Sequence, residues 1–299
     1  MIVNGTNIRN LTVGFQAAFQ GAFSGVQSAY GRFCTTVNST TAEEDYGWLG
    51  DMPAIREWVG ERVVHNMTAS GYAVKNRQFE LTIGVPRTAV EDDRYGIYAT
   101  ASRGLGEQAA RFPDKLLFGL IADGWTKKCY DGQPFFSTEH PTDSGVFANT
   151  DSDADDTGAP WFLFDDTQFL RPWIYQQRKP FAFVAKTDIR DDNVFAHDQY
   201  LYGVDGRCNV GFGLPQLCWG SKQPLNAANY AKARAALGQM KGSKGDLLGV
   251  SGKVLAVGST LESAALKLLN NEQASGGESN EWKGTARLEV IPFLPGPSA

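Results

Sequence analysis

One long helical segment constrains the fold of this chain more than any other feature. The residues from Arg94 to Asp123 favour a helix, and Glu91–Asp93 place negative charge where a helix would begin. At Pro113 the helix either kinks or gives way to a second helix. Taken whole, about 28 residues at ~1.5 Å each would span roughly 40 Å. Because this is long for a compact domain, we expect the segment to act as a strut.

Aromatic residues near the start of the chain recur at a helical spacing, with Thr12 as the predicted N-cap. Glycines at positions 14, 21 and 25 each cost up to about 1 kcal/mol relative to Ala, so this helix needs a partner surface. We interpret it as an arm that docks on a neighbouring chain, and an ordinary core helix is the alternative. The residues on the predicted face are Phe15, Phe19, Phe23, Val26, Tyr30 and Phe33.

A strictly alternating apolar pattern predicts a half-buried strand at Phe79, Leu81, Ile83 and Val85. With the turn at Ser70-Gly71, the whole stretch from Arg62 to Val85 is predicted to be a long two-stranded hairpin. Its distal part, Thr68 to Arg77, is polar. Because an isolated hairpin is marginal in water, a projecting one must lean on another chain. Deletion of residues 68–77 is therefore expected to leave a folded chain that has lost this contact.

The second half of the chain mixes further strands and helices without a regular βαβ rhythm, which predicts an α+β fold. A helix from Asn226 to Met240 is predicted to be capped by Asn226, and another from Leu261 to Asn271 by a Ser259/Glu262 capping box. Strands are predicted at Trp161–Phe164, Ile174–Ala185, Tyr200–Trp219, Val254–Val257 and Leu288–Leu294.

Composition argues against several functional classes. The 299 residues carry a formal net charge of -5 and no long basic run, which argues against a generally nucleic-acid-binding protein. Neither a signal peptide nor a membrane helix is expected, since no stretch approaches ~20 apolar residues. The four cysteines are scattered without a C-x-x-C pair, so free thiols in a reducing cytoplasm are expected.

Catalytic and metal-binding motifs are mostly missing. The sequence has neither a phosphate-binding loop nor a nucleophile elbow, and it has only three histidines. Cys129 and His140 are the one candidate thiolate pair, although no orienting partner accompanies them. The run from Asp151 to Asp155 begins like a calcium loop, but Asp156 stands where that loop needs Gly. We predict no catalytic residue, cofactor or metal.

Lys75 and Asn76 are adjacent in the distal part of the hairpin predicted at residues 62–85. A lysine and an asparagine can form an isopeptide bond when a carboxylate assists, but two ordinary polar tip residues are the preferred interpretation.

Several segments, in order along nearly the whole chain, resemble the Mu-like prophage major head subunit family. The strongest is YGWLGDMP at residues 46–53. The others are Arg56–Arg62, Val85–Arg87, Glu91–Tyr98, Cys129–Phe136, Glu139–Pro141, Arg171–Gln176, Asp191–Phe195 and Tyr200–Val204.

The resemblance implies the Hong Kong 97-type phage capsid fold, with an N-terminal arm, an E-loop hairpin, a peripheral domain with a spine helix, and an axial domain. On this basis we assign residues 1–48 to the arm, 49–92 to the E-loop region, 93–222 to the peripheral domain and 223–299 to the axial domain. Arg94 to Asp123 would be the spine helix. The strands from Trp161 to Trp219 precede the axial segment here, whereas they usually follow it in this fold, so the strand order would be permuted.

The resemblance also implies the function of a major capsid protein that assembles with itself into hexamers and pentamers of an icosahedral shell. The shell would enclose double-stranded DNA without binding it specifically. Assembly in the bacterial host cytoplasm would involve a scaffold linked to a protease, a portal and decoration proteins, with no membrane. We expect inter-subunit contacts at Phe15, Phe19, Phe23, Tyr72, Lys75 and Arg77.

Two other functional classes compete with the shell subunit. A cytoplasmic Cys/His hydrolase predicts a close contact between the thiol of Cys129 and the imidazole of His140. A monomeric binding module predicts that the arm and the hairpin fold back on their own chain.

Overall fold

Two four-stranded sheets organise the fold in a computed structural model, which describes residues 5–50, 71–92, 96–143, 145–242, 245–274 and 277–296. The described helices are α1 (Gly5–Gly25), α2 (Tyr30–Phe33), α3 (Arg87–Glu91), α4 (Ile97–Ala122), α5 (Asp192–Phe195), α6 (Ala227–Gly238) and α7 (Glu262–Asn270). The described strands are β1 (Cys34–Asn38), β2 (Glu43–Asp45), β3 (Ala73–Lys75), β4 (Arg77–Pro86), β5 (His140–Thr142), β6 (Gly145–Phe147), β7 (Trp161–Phe164), β8 (Trp173–Lys186), β9 (Gln199–Phe212), β10 (Cys218–Ser221), β11 (Val254–Val257) and β12 (Arg287–Val290).

The first sheet has the strand order β1-β8-β9-β4 and is built around the long hairpin of β8 and β9. Strand β4 pairs antiparallel with β9 over its full length, from Arg77 opposite Cys208 to Pro86 opposite Gln199. At the other edge β1 pairs parallel with β8. The two register shifts within the β8/β9 pairing lie between Gln177 and Ala182, where the hairpin bends.

Helices α1 and α4 cover one face of the first sheet. Phe15 and Phe19 from α1 pack with Leu105 of α4 and with Tyr202 and Val204 of β9. The two helices approach so closely that a Cβ atom on Gly106 would lie 2.4 Å from the carbonyl oxygen of Phe19. Glycine at this position therefore allows the contact between the helices.

The second sheet has the order β10-β7-β11-β12, and its two central strands, β7 and β11, are buried on both faces, which explains their uninterrupted apolar sequences. In β7, Trp161 and Leu163 face the core beneath α6 and α7, whereas Phe162 and Phe164 face the core that contains the end of α4. The ring of Phe136 packs against Gly220 of β10 and against Gly124 just beyond α4. It thereby ties the long helix to the second sheet.

Several predictions from sequence are confirmed. Strands β7 and β11 have the predicted bounds, and β8 lies within one residue of its own at each end, whereas β12 ends at Val290 and not at the predicted Leu294. The side chain of Asn226 caps α6 by accepting a hydrogen bond from the backbone N–H of Asn229. The long helix α4 continues through Pro113 as a single helix, which settles the alternative left open by the sequence.

Other local predictions are wrong. Thr12 lies inside α1 and not at its N-cap, and its side chain hydrogen-bonds Tyr202 of the sheet. The first helix ends at Gly25, so the predicted aromatic face is split between α1 and the short α2. Ser259 begins a 3-10 turn, and α7 starts at Glu262 without a side-chain cap, so the predicted capping box does not form.

The predicted hairpin from Arg62 to Val85 is only partly described, because residues 51–70 lie outside the described part of the chain. Its second strand, β4, belongs to the first sheet and pairs with β9, more than 100 residues later in the sequence. This strand is therefore held by its own chain. The second sheet joins β7 and β10 to β11 and β12, so it spans the predicted boundary between residues 222 and 223.

Candidate functional site

The three phenylalanines of the predicted arm lie against their own chain. Phe15 and Phe19 are only 5% and 2% exposed, and their rings lie 5.1 Å from Tyr202 and 5.5 Å from Phe183, centroid to centroid. Phe23 is half-buried and stacks on Phe19. This packing favours the ordinary core helix. Contact of these three residues with a neighbouring subunit stays a prediction.

The other three predicted contact residues differ in exposure. The hydroxyl oxygen of Tyr72 accepts a hydrogen bond of 2.7 Å from the backbone N–H of Phe212, and burial raises the pKa of Tyr72 to about 12. Lys75 and Arg77 have exposed side chains, and the guanidinium of Arg77 lies 5.1 Å from the ring centroid of Phe79. Tyr72 thus supports its own fold, whereas Lys75 and Arg77 are accessible to a neighbour.

Asn76 is buried and its side-chain amide is fully used. Its nitrogen donates to the hydroxyl of Ser39 at 2.7 Å and to the carbonyl of Thr41 at 3.0 Å, and its oxygen accepts from the amide of Gln176 at 2.9 Å. The pair of Lys75 and Asn76 is therefore no exposed isopeptide site. Deletion of residues 68–77 would remove these bonds together with buried Val74, so such a deletion is expected to lower the stability of the chain; whether the deleted chain stays folded stays a prediction.

Cys129, Asp131 and His140 converge at a turn beyond α4. The thiol of Cys129 donates to Oδ1 of Asp131 at 3.1 Å, and Nδ1 of His140 lies 2.6 Å from Oδ2 of the same carboxylate. Gly132, with a φ of +83°, lets the chain turn back so that Cys129 and Gln133 pair through their backbones. Asp131 therefore stands between the thiol and the imidazole.

Both ring nitrogens of the fully buried His140 face oxygen atoms. Nε2 lies 3.2 Å from the carbonyl oxygen of Phe135 and 3.3 Å from Oδ1 of Asn149. The amide of Asn149 in turn donates to the carbonyls of Phe135 and Pro215. This buried network joins the turn after α4 to the segment that leads into β10.

The electrostatics of this cluster favour a structural role over a catalytic one. Burial, followed by the charge of Asp131, raises the pKa of the Cys129 thiol, which is the opposite of what an activated nucleophile needs. Burial also opposes ionisation of Asp131, but hydrogen bonds from His140 and Cys129 outweigh it, so the pKa of Asp131 lies below its ordinary value. Within the described residues no hydrogen bond joins thiol and imidazole, which removes the contact that the hydrolase hypothesis requires.

A metal ion is the other use of such a cluster. Among the described residues, these three offer the one set of His, Cys and acidic ligand atoms that lie within 4.8 Å of one another. A zinc ion bonded tetrahedrally to Nδ1 and a carboxylate oxygen would hold those atoms roughly 3.3 Å apart. The 2.6 Å between His140 and Asp131 is a hydrogen-bond distance, so the geometry favours a proton between the two groups.

The acidic loop after β6 is held by its own chain. Lys222 donates to the backbone carbonyls of Asp153 and Ala154, and Asp156 accepts from the backbone N–H of Asp153. Lys232 forms an ion pair with Asp151 at 3.2 Å. These contacts agree with the interpretation of the run as an ordinary acidic loop.

Exposed apolar side chains are the candidate contact residues that sequence reasoning missed. Phe195 is 85% exposed, Phe169 72%, and Ile189 64%. Single exposed apolar residues are common, but two of these, Ile189 and Phe195, lie in the same connection between β8 and β9. The sequence indicates this candidate surface only by the presence of two apolar residues, Ile189 and Phe195, within an aspartate-rich stretch.

Comparison with known proteins identifies the chain. The model of the Mu-like prophage major head subunit gpT family matches residues 8–294. The chain belongs to this family. It is 37% identical to the major capsid protein of Escherichia phage Mu over 305 aligned residues, covering 98% of this chain and 100% of that protein. It is 36% identical to the FluMu prophage major head subunit of Haemophilus influenzae over 288 residues, covering 92% and 94%.

Solved capsids support the same assignment for this Mu-like head subunit. A subunit of the procapsid of bacteriophage JBD30 superposes with a TM-score of 0.86 at 38% identity, covering 98% of this chain and 100% of that one. The capsid of the same phage gives a TM-score of 0.80 at 28% identity, with 99% and 100% covered. The chain therefore has the Hong Kong 97-type fold and is a major capsid protein of a Mu-like phage. Within the described residues, no helix is both long and apolar enough to cross a membrane.

Proposed function

We propose that this head subunit assembles into hexamers and pentamers that close into an icosahedral shell around double-stranded DNA. The observation that carries the proposal is the similarity to the JBD30 procapsid subunit, with a TM-score of 0.86 over 98% of the chain. The net charge of -5 fits a wall that surrounds DNA without binding it specifically. Many modest contacts between copies add up to a stable shell, because each further contact in a lattice is effectively intramolecular.

The two sheets suggest a division of the subunit that differs from the boundaries predicted from sequence. We assign the first sheet with α1 and α4 to the peripheral domain, and α4 to the spine helix. We assign the second sheet with α6 and α7 to the axial domain. Strands β7 and β10 then belong to the axial domain although they lie before residue 223. The E-loop is assigned to the chain that precedes β4, part of which lies outside the described residues.

The partners follow from the shell. We propose assembly in the host cytoplasm with a scaffold linked to a protease, closure on a portal, and decoration of the finished shell. A JBD30 capsid decorated with minor capsid protein trimers has a subunit of the same fold, with a TM-score of 0.76 at 30% identity. We also propose that the subunit is not an enzyme, since the thiol of Cys129 is buried, donates a hydrogen bond to Asp131 and has a raised pKa.

Maturation is proposed as a shift of the subunit between two packings. In support, the related JBD30 subunit occurs in both a procapsid and a capsid, and the two superpose on this chain with TM-scores of 0.86 and 0.80. Such a change between two discrete arrangements is typical of packed interfaces, which do not deform continuously.

Electron microscopy of the full-length protein, purified alone and after co-expression with its scaffold, tests the proposal. Rings, sheets or closed shells are expected. A uniform small monomer under every condition tried would contradict it.

A further inference from the structure

The connection between β8 and β9, residues 187–198, is here called the hairpin tip. It presents Ile189 and Phe195 to solvent, 64% and 85% exposed. Its charge is mainly negative, with four aspartates against one arginine, Arg190. Aromatic side chains are enriched at surfaces that another protein covers, where a polar rim surrounds the apolar part of the contact.

The exposure of Phe195 is held in place by the fold of the tip. The amide of Asn193 donates to the carbonyls of Lys186 and Gln199, which closes the ends of the tip at 3.1 and 2.7 Å. Val194, the preceding residue, is buried in the core of the first sheet. Because α5 is anchored by these two neighbours, it points Phe195 away from the chain's own core.

A groove of about 380 Å³ lies between α4 and the first sheet and has matching chemistry. Its walls are aromatic, and the helix side of its rim is positive, with Arg111 and Lys115 exposed. Glu80 lies on the strand side, where its carboxylate accepts a hydrogen bond from the hydroxyl of Thr82. The apolar lining consists of Phe79, Leu81, Ala109, Phe112, Phe181, Val204 and Phe293.

The hairpin tip cannot enter the groove of its own chain. The groove is lined by Phe181 of β8 and Val204 of β9, each five residues before or after the end of its strand at Lys186 or Gln199. At ~3.3 Å per residue, the paired strands carry the tip roughly 17 Å away from the groove. A hairpin tip that occupies this groove must therefore belong to another copy.

We propose that the hairpin tip of one head subunit docks into the groove of a neighbouring copy, with Phe195 among the groove aromatics and Asp192 against Lys115. This rests on the proposed shell assembly and names one of its contacts. The contact is heterologous, because tip and groove are different surfaces, and repeated heterologous contacts generate rings and extended lattices. Neither Asp192 nor Lys115 has a side-chain hydrogen bond or ion pair to the described residues, so both charges are available.

Disulfide trapping in assembled particles tests the contact directly. The four native cysteines are buried, so introduced surface cysteines react selectively. A double variant, Ala196→Cys with Gln108→Cys, places one thiol on the tip and one on the groove rim. Mild oxidation of its assemblies is expected to give a ladder of covalent multimers, since every copy links head to tail. The matched control, Ala196→Cys with exposed Glu281→Cys, is expected to remain monomeric on a denaturing gel.

Assemblies of the double-cysteine variant that give no ladder would overturn the docking proposal and leave shell assembly intact. A wild-type protein that never assembles would instead contradict the proposed function.

A charge exchange then identifies the partners. Lys115→Glu alone and Asp192→Lys alone are each expected to lower the yield of shells by about tenfold or more, because like charges meet at the contact. The combined variant is expected to recover shells, because opposite charges face each other again. Failure of the combined variant to recover, as expected if a scaffold or decoration protein fills the groove, would overturn the proposal.

Discussion

The crossing of α1 and α4 at Gly106 leads to a stability prediction with a matched control in the same helix. A Cβ atom at this position would lie 2.4 Å from the carbonyl oxygen of Phe19 and 3.1 Å from the backbone nitrogen of Phe23. Both neighbours are backbone atoms, so they cannot move without displacing α1. Overpacking of this kind costs about 1–3 kcal/mol.

The control is Gly104→Ala, since a Cβ atom on Gly104 meets nothing within 4 Å. Alanine favours an exposed helix over glycine by about 1 kcal/mol, so Gly104→Ala is expected to raise the melting temperature. In Gly106→Ala the same gain is offset by the clash. The two variants should therefore differ by about 1–3 kcal/mol, or roughly 2–8 °C in melting temperature.

Thermal unfolding of the full-length subunit, followed by circular dichroism, measures this difference. Equal stabilisation by the two substitutions would refute the close packing of α1 on α4, and with it the placement of Phe15 and Phe19 in the subunit's own core.

Three further predictions concern the polar networks. His140→Ala leaves the carboxylate of Asp131 buried without the imidazole that it pairs with. The substitution should therefore lower the free energy of unfolding, measured with denaturant, by about 3–5 kcal/mol, and a loss below about 1 kcal/mol would contradict the structural role of the cluster. Cys129→Ala should still give closed shells by electron microscopy, and loss of assembly by a correctly folded variant would restore a special role for the thiol. Glu44 accepts hydrogen bonds from Ser39 and from Thr40 and Thr41, which lower its pKa to about 2. Its contribution to stability is therefore present above the ordinary carboxyl value and is lost as pH falls towards 2, so a pH series should show less acid sensitivity for Glu44→Gln than for wild type.

The sequence predicted elements whose signal is local. The apolar run of β7 and the short buried β11 are visible without their partners, because both faces of each strand are covered. The cap at Asn226 is likewise a local rule that no tertiary contact overrides.

Elements defined by distant partners were less predictable. The hairpin interpretation paired β4 with the nearest preceding segment, but its partner is β9, and nothing in the pattern of Phe79 to Val85 identifies that strand. The alternation of apolar residues shows which face of a half-buried strand is buried, whereas the packing of the whole domain determines which strand pairs with it.

The candidate site shows the same limit. The residue types of Cys129 and His140 suggest a pair, and only the structure shows that Asp131 lies between them. The sequence does not show the exposure of Phe195, because that exposure depends on the anchoring of the two preceding residues, Asn193 by its hydrogen bonds to both ends of the tip and Val194 by its burial.

The most direct test of the account is a cryo-electron microscopy reconstruction of particles formed by the full-length protein with its scaffold. We expect a closed shell whose subunits have α4 along the first sheet and the second sheet at the centre of each ring. Particles with another subunit fold, or a protein that stays monomeric, would contradict it.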